Sequence, residues 1–409
     1  MLVHPTGNAN VRQTARSLFD GGMLASFFTS IVWQPGTLAD RMLPSALRSE
    51  LSRRSFPGIP RELIHSCPWR EAGRLCALRM GWRSLVEHET GIFCLDAAIA
   101  DLQAKAIHRI AGGPEPDAIY GFENTELFIE AERRGIHRIF DLPFPHHRAY
   151  IQILEAEREL KPEWAPTLTA LHDSPKRLAR KDRDLDLADL IIVASSFTAE
   201  TLKSYPGSLT SRIFTVPYGA PAAGPSRQQT RPQDPLRVLY VGKLSQQKGI
   251  GYLFEAAELL DRNKVRYSLT VLGNSTVPTR ELTRALAACR WIDSAPHSEV
   301  LKLMREHDVL VFPTLFDGFG LVILEAMAQG TVVIATPNCA APEILDDGRD
   351  GFIVPIRSPE AIAQRLTKLA EDRDLLATMS EAARLKAISR GWERYRQELL
   401  NAVQSVFSG

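Results

Sequence analysis

Two carboxylates stand eight residues apart, Asp317 and Glu325, inside the string FPTLFDGFGLVILEAMAQGTVVIATP. An apolar run, VLVFP, leads into the loop TLFDGFG, and the loop leads into a helical stretch closed by Gly330. Gly318, Phe319 and Gly320 form a turn that lets backbone amides come close to a ligand. The amides of Leu321 and Val322, at the helix start, suit a phosphate, assisted by the helix dipole. Asp317 in the loop and Glu325 on the helix can then read two parts of an elongated ligand. The plainer reading is an acidic loop residue beside a helix glutamate facing solvent. The length of the whole string argues for a site.

A second constellation is VGKLSQQKG, Val241 to Gly249, directly after an apolar run. Lys243 and Lys248 lie five residues apart around a strand end. Two cations there can neutralise a phosphate-bearing ligand and any negative charge that develops on it. Gly242 and Gly273 close the first two strands of this half and are assigned to the same ligand site. Two solvated lysines in a loop are the alternative; their place after a strand and beside the acidic pair favours the site.

The N-terminal half offers two further groups. HPTGNANVR puts Gly7, Asn8 and Asn10 in the first strand-to-helix loop, facing a cleft or, equally, starting a helix with Asn8 or Asn10 as its N-cap. DLPFPHHRAY puts His146, His147 and Arg148 at the C-terminal end of a strand, the edge where open α/β sheets bind ligands. An imidazole there can position or deprotonate an acceptor hydroxyl. Spacing does not choose between the two histidines, and a loop pair with local hydrogen bonds is the alternative.

The acidic string resembles the motif of the large family-4 retaining glycosyltransferases, enzymes of the GT-B fold. That motif reads Glu-Gly-Phe-Gly followed by a second Glu, so Asp317 is one methylene shorter than usual. The family has Arg, then Lys, where this chain has Lys243 and Lys248, so Lys243 lacks forked recognition of phosphate. The resemblance spans residues 236 to 372 and includes IIVASSFTAETL and TVPYGA ahead of them. It implies that Glu325 holds the ribose hydroxyls and that Asp317 with the Gly318–Gly320 backbone surrounds a hexose. It also implies retention of anomeric configuration, by a front-face mechanism in which the departing phosphate helps take the acceptor proton. A histidine of the N-terminal domain would contact the donor sugar.

The elements that must position these residues alternate. After the linker-like AAGPSRQQTRPQDP come five strands, LRVLYVG, YSLTVLG, DVLVFPT, TVVIATP and GFIVPI, with helices between them. MLVHP, FFTSIVW, DAIYGF, RIFDLPF and LIIVASS are strands of the first half. Such alternation predicts doubly wound parallel sheets. The expected fold class is α/β, a GT-B arrangement of two Rossmann-like domains facing across a cleft. Its parts are residues 1–218 on the acceptor side, a linker at 219–235, a donor domain at 236–390, and a last helix at 391–409 crossing back. Residues 37–91 are irregular and rich in Arg and Pro.

Composition narrows the function classes. The chain has 409 residues, 44% hydrophobic and 24% charged, with a net charge of +1, which suits two soluble domains and gives no footprint for nucleic acid. The five cysteines are scattered with no CxxC pair, as expected of free thiols in a reducing cytoplasm. No signal-peptide core and no apolar run of roughly 18 residues is present. The expected location is cytoplasmic, with a peripheral contact at the inner membrane face left open. Nine arginines between Arg41 and Arg83 motivate that contact with anionic lipid, Arg53 and Arg54 among them. GFGLVI lacks the third glycine of a dinucleotide fingerprint, Ile323 standing in its place, and no HExxH, GxSxG or Walker loop occurs. No metal and no cofactor is expected; a nucleoside-diphosphate sugar is the donor substrate. The acceptor is a carbohydrate or lipid-linked hydroxyl, in surface polysaccharide or glycan assembly of bacterial type. An inverting transferase or epimerase of the same fold and a catalytically silent sugar-nucleotide-binding subunit remain as alternatives.

Overall fold

The computed structural model describes all residues except 38–41, 43–47, 49–50, 53, 227–230, 232, 276 and 409. Arg41 and Arg53, and part of the linker, therefore lie outside the described residues.

In the N-terminal half the strands are β1 (Leu2–Val3), β2 (Phe27–Thr29), β3 (Ile64–Ser66), β4 (Ala118–Gly121), β5 (His137–Leu142), β6 (Leu190–Val193) and β7 (Arg212–Thr215). Among the helices of the described residues are α1 (Ala9–Asp20), α2 (Pro68–Met80), α3 (Leu95–Ala111), α4 (Thr125–Arg133), α5 (His147–Leu160), α6 (Pro175–Leu187) and α7 (Ser196–Thr201). All strands run parallel, in the order β3-β2-β1-β4-β5-β6-β7.

The second half has β8 (Leu236–Val241), α8 (Ile250–Arg262), β9 (Tyr267–Leu272), α9 (Arg280–Leu286), β10 (Arg290–Ile292), α10 (His297–Glu306), β11 (Val309–Phe312), α11 (Leu321–Ala328), β12 (Val332–Ala335), α12 (Ala341–Ile344), β13 (Gly351–Ile353), α13 (Pro359–Glu371), α14 (Arg373–Ser389) and α15 (Trp392–Gln404). Its sheet is also parallel, in the order β10-β9-β8-β11-β12-β13. Central strands such as LIIV in β6 and VLVF in β11 are buried at every residue, because helices cover both faces.

Both sheets reverse their winding between the first strand and the fourth, at β1/β4 and at β8/β11. The loops leaving such a pair diverge to opposite faces and open a crevice at the strand ends. Three strands, β3, β7 and β10, are absent from the sequence reading. They are three or four residues long and mostly exposed or half-exposed, so they carry no long apolar run. Residues 37–91, read as irregular, contain β3, α2 and a 3-10 turn at Arg83–Val86.

The two halves are not separate cores. Tyr150, Leu154, Trp164 and Leu168 share one apolar cluster with Leu236, Tyr240, Phe316 and Val332 of the second half. Glu157 of α5, fully buried, accepts hydrogen bonds from Gln246 Nε2 (2.7 Å), Tyr252 Oη (2.8 Å) and Arg357 Nε (2.7 Å). That pairing satisfies a carboxylate whose burial alone is strongly unfavourable. In return α15 packs on α1 of the first half. Tyr395 Oη lies 2.8 Å from Thr14 Oγ1, and Ser17 Oγ donates to the Arg396 carbonyl at 2.6 Å.

Candidate active site

β8 and β11 are hydrogen-bonded neighbours, so the loops that leave them emerge side by side. The first carries Lys243 and Lys248, the second Asp317. Lys248 ends a 3-10 turn at Gln246–Lys248, and its Nζ lies 2.5 Å from Asp317 Oδ2. The other carboxylate oxygen, Oδ1, accepts from the Phe319 amide at 3.2 Å, and the Asp317 amide donates to the Asn338 carbonyl at 2.8 Å. The acid is thus held from its own loop and from the loop after β12. Lys243 Nζ donates to Thr169 Oγ1 at 3.0 Å. Burial, then the neighbouring charge of Lys248, lowers the Lys243 ammonium below the usual lysine range. Gly242 and Gly273 end adjacent strands. A Cβ on Gly273 would sit 1.8 Å from the Gly242 carbonyl oxygen, so this pair lets the two strand ends close on each other.

Helix α11 starts at Leu321, after Gly320 at φ +85°, a conformation that glycine adopts without strain. The Leu321 and Val322 amides belong to its first turn, with the dipole pointing at the loop. Glu325 follows on the next turn, half-buried and 3.7 Å from His297 Nε2. Burial pushes its carboxyl above the usual range, against the pull of His297. Phe319 is buried and packs on Tyr218, ring centroids 4.8 Å apart, so its side chain anchors the loop and its backbone is what the site can use.

Gly318 is one of the places where the two halves touch. Its carbonyl accepts from Ser195 Oγ (2.7 Å) and Thr198 Oγ1 (3.2 Å), at the start of α7. A Cβ on Gly318 would lie 1.8 Å from the Pro143 carbonyl oxygen and 3.2 Å from the Phe144 Cα. Glu343 of α12 accepts from the Ser196 amide across the same boundary. Thr169, Ser195, Thr198, Asn338 and Glu343 were not singled out from the sequence. Ser195 and Thr198 lie in the family-like IIVASSFTAETL stretch, which was their only signal.

The acceptor-side residues divide. The Gly7 carbonyl accepts from Arg12 Nη1 at 2.9 Å. Asn8 is the N-cap residue of α1 by position, but its side chain makes no capping bond and instead accepts from Thr6 Oγ1. Asn10, in the first turn of α1, is buried and donates to Tyr218 Oη at 3.2 Å, which makes it a packing residue and not an open cleft group. The histidines also differ from the expectation of an imidazole facing an acceptor. Both are buried; His146 Nδ1 lies 3.0 Å from Ser204 Oγ and Nε2 3.1 Å from Asp182 Oδ1, so both its nitrogens are engaged within the first half. His147 Nδ1 is 3.5 Å from the same Asp182 oxygen. Arg148, about half exposed, reaches Asp182 Oδ2 at 3.2 Å. Asp141, near the end of β5, is buried, which pushes its carboxyl up to about 7.

Residues 225–386 match the family described as "Glycosyl transferases group 1". The chain is 32% identical over 238 residues to a D-inositol 3-phosphate glycosyltransferase of Corynebacterium jeikeium (strain K411), covering 53% of this chain and 57% of that one. It is 27% identical over 208 residues to a glycogen synthase of Mycobacterium tuberculosis (strain ATCC 25618 / H37Rv), covering 49% and 50%. The chain spans about half the length of the curated relatives it matches. Among solved structures, a sucrose-phosphate synthase from Thermosynechococcus elongatus superposes with a TM-score of 0.67 over 100% of this chain and 98% of that one, at 16% identity. Anabaena Alr3699/HepE, in complex with UDP-glucose, superposes with 0.62 over 99% of each chain, also at 16% identity. At these identities the likeness is one of fold, and the fold is GT-B.

Proposed function

We propose that this chain is a retaining glycosyltransferase that moves a hexosyl unit from a nucleoside-diphosphate sugar to a hydroxyl acceptor, in the assembly of a bacterial-type polysaccharide or glycan. The observation that carries the reading is the meeting of Lys248 and Asp317 at the β8/β11 crevice, with Glu325 one turn into the helix that starts there. Glu325 holds the ribose, the first turn of α11 and the two lysines hold the diphosphate, and Asp317 faces the sugar. As the glycosidic bond breaks, charge accumulates on the diphosphate, and Lys243 and Lys248 stabilise it where it develops. The departing phosphate oxygen is the base placed to receive the acceptor proton. The lysines carry the charge that a metal would otherwise carry at the phosphates, so no cofactor enters this chemistry. The relatives named glycosyltransferase and the neighbour bound to UDP-glucose support a nucleotide-sugar donor.

The acceptor enters from the first half, as a carbohydrate or a lipid-linked hydroxyl, with the protein on the cytoplasmic side. Among the described residues no helix is long and apolar enough to cross a membrane. A peripheral contact is supported less by the arginines than by their neighbours. Arg54 and Arg74 are paired with Glu71 and Arg70 with Asp101, whereas Trp69, Leu78, Met80 and Trp82 are exposed on and just after α2. Aromatic and aliphatic groups of this kind bury into the headgroup boundary.

A second reading, a catalytically silent sugar-nucleotide-binding subunit, is favoured by one observation: Asp317 is already neutralised by Lys248. Incubating the purified chain with a panel of nucleotide sugars, and following donor hydrolysis and product anomer by NMR, separates the readings. An α-linked product from an α-linked donor supports retention. Donor binding without turnover, with every acceptor class tried, supports the silent subunit.

A further inference from the structure

We propose that His146, His147 and Asp182 form a binding site for one zinc-class divalent metal ion in the N-terminal domain, separate from the donor phosphates. The three donor atoms lie within 4.8 Å of one another. Asp182 Oδ1 is 3.1 Å from His146 Nε2 and 3.5 Å from His147 Nδ1. Donors about 2.0–2.1 Å from a tetrahedral zinc ion are separated by about 3.3 Å, so the two spacings to Asp182 suit ligands that share one centre.

The proton inventory gives an independent argument. Ser204 Oγ donates its only hydrogen to the Thr201 carbonyl at 2.6 Å. Toward His146 Nδ1, 3.0 Å away, it can only accept, so Nδ1 carries a proton. In a neutral ring Nε2 is then a lone pair facing a carboxylate oxygen, an arrangement that a cation shared by the two groups stabilises, as a second ring proton would. The Nδ1–H to Ser204 bond is also what fixes a metal-binding histidine in the tautomer with Nε2 free. His147 supplies the second observation: it is 4% exposed, its Nδ1 makes no hydrogen bond, and that atom points at the same carboxylate oxygen.

The nearby charges leave room for the ion. Arg148 takes the other Asp182 oxygen, Oδ2, and leaves Oδ1 as ligand. Lys181 is paired with Asp173 at 2.5 Å. Two imidazoles and one carboxylate select zinc, nickel, cobalt or copper over magnesium or calcium. Three protein donors leave a fourth position, and both histidines line a cavity of about 270 Å³, bordered by Phe122, Phe144, Tyr150 and Lys181, that can seat a water or another small oxygen ligand. The bound ion ties the turn between β5 and α5 to α6. The Pro143 and Phe144 backbone of that same turn abuts Gly318, so metal binding stiffens the wall against which the donor loop rests.

Equilibrium dialysis of the chelator-stripped full-length chain against ZnCl₂ tests the site, with cobalt absorption as a report on geometry. The expected result is one saturable equivalent, a tetrahedral-type cobalt band, and a higher Tm with zinc, since a ligand bound only by the folded state stabilises it. His147→Gln and Asp182→Asn should each weaken binding at least about tenfold. His88→Gln, in the separate His88–Glu89–Asp173 cluster, should leave binding unchanged. If the variants fail to fold, the cobalt spectrum and histidine ¹⁵N shifts of the unaltered chain decide the matter. No saturable zinc uptake at micromolar concentration, uptake lost with His88→Gln, or His146 and His147 ¹⁵N signals unmoved by zinc would each overturn the proposal. A doubly protonated His146 would then be the cation facing Asp182.

Discussion

The Lys248 ammonium and the Asp317 carboxylate lie 2.5 Å apart although 69 residues separate them in the chain. Each belongs to a loop leaving one of two adjacent parallel strands, so the pair marks the crevice and ties its two lips together. On the proposed reading a donor phosphate shares Lys248 with Asp317. Lys248→Ala is expected to lower kcat on the order of a hundredfold or more while nucleoside affinity changes only a few-fold, because the lost charge acts as the leaving group forms. Asp317→Asn should add less in the double variant than alone, since the two groups interact directly. A turnover within about twofold of the parent would show that the phosphates lie elsewhere.

Glu325→Ala should weaken nucleotide binding about ten- to a hundredfold, the range for a hydrogen bond to a charged group, with the melting profile preserved. The carboxyl is raised by burial, so its charged form is lost as pH falls through a value above the ordinary glutamate range. Nucleotide affinity measured calorimetrically from pH 8 downward should therefore decline early in the parent and stay flat in Glu325→Gln. Identical pH profiles for the two proteins would remove Glu325 from the ribose.

Gly318→Ala places a methyl group against the backbone of the opposite half, 1.8 Å from the Pro143 carbonyl oxygen. Neither backbone can give way cheaply, so the contact between the halves must open. Activity should fall by about two orders of magnitude through misplacement of Asp317. Small-angle scattering should show a more open molecule. An active, equally compact variant would mean that this contact is not part of the working state.

Asp141 carries a pH signature of stability. Its carboxyl titrates near 3.9 in an unfolded chain and is raised by burial to about 7 in the fold. Between those values the folded state holds the extra proton, so this group's contribution is complete below about pH 4 and is lost as pH rises to about 7. Asp141→Asn should remove that decline and, above pH 7, raise stability on the order of 1–3 kcal/mol, as expected when a buried charge becomes a neutral polar group. Urea midpoints from pH 5 to 8 test this; equal slopes for both proteins would place Asp141 in contact with solvent or a cation.

Vesicle binding distinguishes the two sources of a membrane contact. If the exposed side chains of α2 insert, Trp69→Ser and Trp82→Ser should each reduce co-sedimentation with anionic vesicles several-fold. Arg54→Ala should chiefly destabilise the fold, because Arg54 is paired with the buried Glu71. No sedimentation of the parent with anionic lipid would favour a soluble acceptor.

Much of the second half was legible. LRVLYVG, VLVFP and TVVIATP are predominantly apolar runs ended by Gly or Pro, and buried parallel strands leave that mark because both faces are covered. The short edge strands β3, β7 and β10 leave no such mark. Residues 37–91 were harder still, since α2 exposes Trp69, Leu78 and Met80 and so lacks the regular apolar stripe of a packed helix. Asn10, His146 and His147 stand out in the sequence by residue type and by their place after a strand. Residue type tells nothing of which partner a ring or amide finds, and these found Tyr218, Ser204 and Asp182.

The sequence by itself determined the periodicities, hence two doubly wound sheets, and the loops that end their strands, hence the neighbourhood of Lys243, Lys248, Asp317 and Glu325. These follow from local patterns, because strand burial and helix starts are written over ten or so residues. Only the tertiary structure decided that Lys248 pairs with Asp317, that α5 packs into the core of the second half, and that Gly318 rests on Pro143. Those contacts join segments 69 to more than 170 residues apart, and the free energy that selects among such long-range partners comes from burial and pairing in three dimensions, which no local run of residues encodes.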